Sequence, residues 1–144
     1  GVAWLDREWS SRSLPPELQG WDWFCLQMQD NTELMFYRLR RPDGSATAES
    51  AGSFVDAAGQ KTMLSQDNMT LTPTRWWSSP VDGTRYPLGW KLTLKGRTYN
   101  VKPRYEGQEL NLAVRYWEGA VEVESEGVKG VGFLELVGYP PPKK

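Results

Sequence analysis

Apolar and polar positions alternate with period two along most of this chain, and Gly and Pro are scattered through it, so the pattern predicts strands and no long helix. The clearest pair covers residues 21–28 and 33–40, joined at Asp30-Asn31, a dipeptide suited to a two-residue hairpin turn because Asn tolerates positive φ. Further strands are predicted over 46–54, 61–65, 69–77, 90–95, 98–103, 109–117, 119–124 and 132–139, separated by turn signals such as Pro42-Asp43-Gly44, Ala58-Gly59, Lys95-Gly96 and Glu126-Gly127. Pro73 and Pro103 should mark an edge, a bulge or a strand end. A strand reaches a bulge or turn at Glu118-Gly119, and residues 140–144 read as an exposed Pro/Lys tail. About ten short strands without crossover helices imply a single all-β domain over 1–139, a meander closed into a barrel or folded into a sandwich.

With Asp30 and Asn31 as the loop, Phe24 pairs with Tyr37 and Trp23 with Arg38, and cross-strand partners share a face. One face then carries Asp22, Phe24, Leu26, Met28, Met35, Tyr37 and Leu39. The other carries Trp21, Trp23, Cys25, Phe36, Arg38 and Arg40, with guanidinium groups lying over indoles. Asp22 stands out, because a carboxylate on an apolar face is expensive unless hydrogen-bonded or protonated. It either caps a backbone amide at the strand end or serves as a carboxyl at the mouth of an apolar cavity, near the Tyr37 hydroxyl. A slip of one residue would exchange the faces.

Composition narrows the chemistry. The 144 residues contain no His and one Cys, which excludes a His-dependent nucleophile or imidazole metal site within the chain and any internal disulfide. No cofactor or metal is expected. With 17 Lys+Arg against 18 Asp+Glu, interspersed, nucleic acid is a poor partner, and no apolar run is long enough for a membrane-spanning helix. The start at Gly1-Val2-Ala3-Trp4 is what a mature segment or an excised domain would present. Eight Trp residues point to an aromatic core or an apolar pocket wall. Trp76 and Trp77, being adjacent on a strand, should face opposite sides, so one at most serves any single surface.

The opening Gly1-Val2-Ala3-Trp4-Leu5-Asp6-Arg7-Glu8-Trp9-Ser10, Gly20-Trp21-Asp22-Trp23-Phe24, Tyr86-Pro87-Leu88-Gly89-Trp90, Tyr116-Trp117-Glu118-Gly119-Ala120-Val121 and Gly130-Val131-Gly132-Phe133-Leu134-Glu135-Leu136-Val137-Gly138-Tyr139 form an ordered series. Together they resemble the carboxy-terminal lipocalin-like domain of AttH-type proteins, relatives of carotenoid 1,2-hydratase. The resemblance implies an antiparallel up-and-down, calycin-type β-barrel of about 8–10 strands. It also implies a sibling N-terminal lipocalin-like barrel and a bacterial periplasmic or secreted setting, among proteins often labelled secreted hydrolases. Hydratase-type members carry Asp-His-x-Trp where this chain has Asp6-Arg7-Glu8-Trp9, so Asp6 and Trp9 match while Arg7 replaces the His. A guanidinium cannot supply the proton that alkene hydration requires.

Three functions follow as expectations. The first is a cup for a hydrophobic or isoprenoid-like small molecule, lined by Trp9, Phe24, Leu26, Met35, Tyr37, Trp90 and Tyr116, with Asp22 fixing a polar end. The second is a hydratase-like lyase or isomerase using Asp22 or Asp6 as general acid, with Tyr37 or Trp9 shaping the cation or positioning the substrate. The third is a barrel filled by its own side chains that supports its sibling. Cavity volume separates the third from the others. Trp-rich strands beside an absent partner barrel could also let the domain pair with a second copy of itself.

Overall fold

The alternating segments form ten antiparallel strands in the structure, a computed structural model that describes residues 3–6, 14–112 and 114–142. They are β1 (Gly20–Met28), β2 (Glu33–Arg40), β3 (Ala51–Val55), β4 (Lys61–Ser65), β5 (Met69–Ser78), β6 (Arg85–Leu94), β7 (Arg97–Pro103), β8 (Glu109–Asn111), β9 (Arg115–Ser125) and β10 (Val128–Val137). The sheet runs in the order β4-β3-β2-β1-β10-β9-β7-β6-β5, with β8 added beside β9, and a 3₁₀ turn over Gln66–Asn68 links the edge strands β4 and β5. The sheet curls so that one face of every long strand meets a common interior, the lipocalin-like barrel that the family resemblance implies. That interior contains Phe24, Leu26, Leu34, Phe36, Leu88, Trp90, Leu92, Trp117, Leu134 and Leu136, each at most 1% exposed.

Several local expectations hold for identifiable reasons. Pro73 lies in the edge strand β5, beside a bulge between Pro73 and Trp76, and Pro103 ends β7. Trp76 is 45% exposed while Trp77 packs against the core. Others are corrected. The segments predicted over 109–117 and 119–124 do not divide at Glu118-Gly119, because β9 runs unbroken through them and the break comes after Asn111. Gly119 instead leaves room for the Gln108 amide, whose Oε1 accepts a bond from the Ala120 amide at 2.9 Å and which a Cβ at 119 would displace.

The β1–β2 register differs by one residue from the predicted one. Phe24 pairs with Phe36, Trp23 with Tyr37 and Asp22 with Arg38. The loop holds three residues, 29–31, because the Met28 amide bonds the Thr32 carbonyl at 2.9 Å and Asn31 takes φ 61°. A type I turn followed by a left-handed residue is the usual three-residue hairpin, and Asp30 pins it by accepting from the Thr32 hydroxyl at 2.6 Å and the Thr32 amide at 3.1 Å. Asn31→Val should therefore cost about 1–2 kcal/mol through its strained positive φ, while Asn31→Gly should match or exceed the parent. Urea denaturation of the two variants reads the difference.

Candidate functional site

The corrected register turns Arg38 and Arg40, not Met35, Tyr37 and Leu39, toward the barrel interior on the face shared with Asp22. Asp22 is fully buried and receives four donors. Arg38 gives Nε at 2.9 Å and Nη2 at 2.6 Å to Oδ2, while Arg40 Nε at 3.1 Å and the Tyr139 hydroxyl at 2.7 Å donate to Oδ1. A carboxylate has about four acceptor sites, so the set is saturated and no oxygen is left for a proton. Two guanidiniums against one carboxylate leave a surplus positive charge. Aromatic faces and a carbonyl absorb it: Arg38 lies 5.1 Å from the Trp90 ring centroid, Arg40 lies 4.0 Å from that of Tyr139, and Arg40 Nη2 reaches the Val137 carbonyl at 2.5 Å.

A second polar group adjoins the first through the Tyr86–Tyr139 ring contact, whose centroids are 5.6 Å apart. Glu109 from the short strand β8 accepts from the Ser79 hydroxyl at 2.5 Å and the Tyr86 hydroxyl at 3.0 Å, and Arg115 Nε stands 3.4 Å away. Arg115 also bonds Asp82 and, at 2.7 Å, the Thr84 hydroxyl, and that guanidinium holds the Asp82 carboxyl down to about 2. Each acid is thus neutralised by a neighbouring strand or loop, which ties the loop over residues 79–84 to β8 and β9.

These contacts set a pH dependence. Burial, then the bond to Glu109, pushes the Tyr86 phenol up to about 12, and burial followed by the Asp22 charge raises Tyr139 as well. Both groups are stabilising while neutral, so their contribution is intact below the ordinary tyrosine value of about 10 and is lost as pH rises through the folded values. Stability measured by urea at increasing pH should fall between about pH 10 and 12, and Tyr139→Phe should flatten the part of that fall due to Tyr139.

The predicted site residues are distributed over both faces. Phe24, Leu26 and Trp90 do face inward, yet they are 0%, 0% and 1% exposed, closed over by Leu88, Trp117, Leu134 and their neighbours. Met35 and Tyr37 belong to the outer face, opposite Cys25 and Trp23, so the pairing of Tyr37 with Asp22 is not formed. Tyr116 is also on the outer face, because its neighbour Trp117 takes the inward position and donates Nε1 to the Glu106 carbonyl at 2.7 Å. Asp6 is exposed and acts electrostatically on Cys25, whose side chain is on the outer face, while Asp22 points inward. Trp9, with Arg7 and Glu8, lies outside the described residues. Arg38 and Arg40 make the expected cation–π contacts, but with Trp90 and Tyr139 in place of Trp21 and Trp23.

Tyr139, Glu109 and the two arginines are the residues that strand patterning passed over. The inward position of Trp117 was legible in the alternation Trp117, Gly119, Val121, Val123. Nothing local signalled that Tyr139, just past β10, returns to Asp22. Among the described residues no group of three or more His, Cys, Asp or Glu is placed to hold a metal ion, and no helix is long and apolar enough to cross a membrane.

Comparison with known proteins agrees with this architecture. The AttH-like family model matches residues 1–139. No curated protein matches the chain. Among solved structures the chain is similar to the 2.00 Å crystal structure of a "putative AttH" from Nitrosomonas europaea, with 31% identity and a TM-score of 0.84, over 91% of this chain and 42% of that one. The chain thus spans less than half the length of that relative. A family match running through all ten strands, together with the same fold in a 31% identical relative, establishes that this chain belongs to the AttH-like family.

Proposed function

We propose that this domain is a self-filled scaffold barrel that supports a sibling lipocalin-like barrel in a longer protein, and that its buried carboxylate is a structural counter-ion. The observation that carries the reading is the packing of the deep interior: Phe24, Leu26, Leu88, Trp90 and Trp117 are at most 1% exposed with no partner chain present. An isoprenoid-sized ligand needs a cavity of roughly 300–1,000 Å³, and these side chains occupy the space such a ligand would take. The saturation of Asp22 supports the same conclusion, since a general acid must carry a proton on an oxygen that here accepts from Arg or Tyr. The length of the Nitrosomonas relative, more than twice that of this chain, supports a further domain. The periplasmic or secreted setting implied by the resemblance belongs to the same proposal.

Native mass spectrometry of this chain, and of the two-barrel protein containing it, tests the reading. The scaffold reading expects this chain alone to carry no isoprenoid-sized apolar molecule, with any such molecule retained only when the sibling barrel is present. Retention of one by this chain alone would overturn it.

A further inference from the structure

The end of the barrel away from Asp22 carries the β1–β2, β3–β4, β6–β7 and β9–β10 turns, and here the packing opens into a cavity of about 230 Å³. It lies between two hairpins: Phe54, Asp56, Thr62 and Leu64 come from β3–β4, and Leu94, Lys95, Arg97 and Tyr99 from β6–β7. None of these residues was singled out for ligand binding by the sequence. The inner wall is apolar, made by Phe54, Leu64 and Leu94. The rim is charged, and its charges are unequally matched. Arg97 is committed to Asp30 at 3.1 Å and the Ser125 hydroxyl at 2.9 Å, and one Asp56 oxygen caps its own turn by accepting from the Ala58 and Gln60 amides, each at 2.9 Å. Among the described residues the Lys95 ammonium forms no ion pair.

Tyr99 gives a second, independent observation. It is 1% exposed, lies under the Arg97 guanidinium at 5.1 Å, and its hydroxyl is buried without a hydrogen-bond partner among the described residues. Arg97, which covers its ring, is bonded to Asp30 in the β1–β2 loop, and Tyr99 lines the same cavity as Lys95. Buried hydroxyls are normally satisfied, so an unmatched donor in the lining of a cavity whose rim carries an unpaired ammonium, with an apolar inner wall, describes the complement of an amphiphile with an anionic head. We infer that this cavity binds a short-chain monocarboxylate, with its carboxylate at Lys95 and the Tyr99 hydroxyl and its alkyl tail against Phe54, Leu64 and Leu94. The volume is below the usual ~300–1,000 Å³ of drug-sized sites, which limits the tail to a short chain and makes the site distinct from an isoprenoid cup.

Octanoate is the probe, with octanol as the uncharged control, titrated against ¹⁵N-labelled chain and followed by amide shifts. Octanoate is expected to shift residues around Phe54, Leu64, Leu94 and Tyr99 and to bind more tightly than octanol. Lys95 sits at φ 49° in its turn, so Lys95→Asn removes the charge with a residue that tolerates that backbone. It should weaken octanoate about tenfold, equivalent to about 1.4 kcal/mol, and leave octanol within about twofold. Tyr99→Phe, which deletes the unmatched hydroxyl without opening a cavity, should weaken octanoate while leaving the urea midpoint equal or higher. Thr62→Trp, at an exposed rim position, should block both probes. Equal binding of octanoate and octanol, octanoate affinity unchanged in Lys95→Asn, or shifts centred elsewhere would overturn the inference. None of these outcomes bears on whether the deep interior is filled.

Discussion

Asp22→Asn is expected to destabilise the fold by about 3–5 kcal/mol, the cost of breaking a buried ion pair from one side. The amide keeps one acceptor oxygen where four donors converge, and it turns an NH₂ group toward a guanidinium. Arg38 and Arg40 would then face each other across a site in which Asp22 is fully buried and the arginine side chains are only 15% and 6% exposed. Replacing the whole set by packed apolar residues is a different experiment and need not be destabilising, because the native pairs already bear the desolvation cost of three charges. The measurement is the urea midpoint of Asp22→Asn, with far-UV circular dichroism to establish that the variant folds. A variant as stable as the parent would show that the carboxylate is not the counter-ion described here. If the protein loses a measurable turnover while keeping its stability, Asp22 is acting as an acid after all.

Trp90→Ala is expected to have a comparable effect, about 3–5 kcal/mol, from lost burial and the cavity left behind. Trp90 is 1% exposed, makes an edge-on contact with Phe24 at a centroid distance of 5.3 Å, donates Nε1 to the Pro87 carbonyl at 2.6 Å and lies under Arg38. Its removal would thus strike the core and the Asp22 network together. Had the interior been an open cup, the same change would only have widened it, at little cost in stability. Tyr116→Ala, on the outer face, provides the control and should cost far less than Trp90→Ala by the same urea titration. Equal costs for the two variants would mean that the interior is not packed as described.

The β1–β2 hairpin explains how far strand patterning could go. In β2 the sequence Glu33-Leu34-Met35-Phe36-Tyr37-Arg38-Leu39-Arg40 offers two interior sets: Met35, Tyr37 and Leu39, or Leu34, Phe36, Arg38 and Arg40. Apolar content favours the first, since arginine is normally a surface residue. The fold uses the second because Asp22 on the neighbouring strand makes two inward guanidiniums tolerable. That carboxylate is anomalous by its position on an apolar face, but alternation alone puts its partners one residue away from Arg38, with which it pairs. A three-residue turn and a two-residue turn are nearly indistinguishable at Gln29-Asp30-Asn31, and the difference exchanges every side chain of the second strand between faces.

The all-β class, the long alternating strands, the edge character of the Pro73 strand and the unusual status of Asp22 were determined by the sequence alone, because each rests on local rules: period-two alternation, the missing proline amide, the cost of burying a charge. Tertiary structure decided what those features face. The return of Tyr139 from beyond β10 to Asp22, the bond from β8 that joins Glu109 to Tyr86, and the cavity between the β3–β4 and β6–β7 hairpins all join residues far apart along the chain. Such contacts depend on how a twisted sheet curls and where its edges meet. Alternation along one strand holds no information about which other strand will lie across the interior.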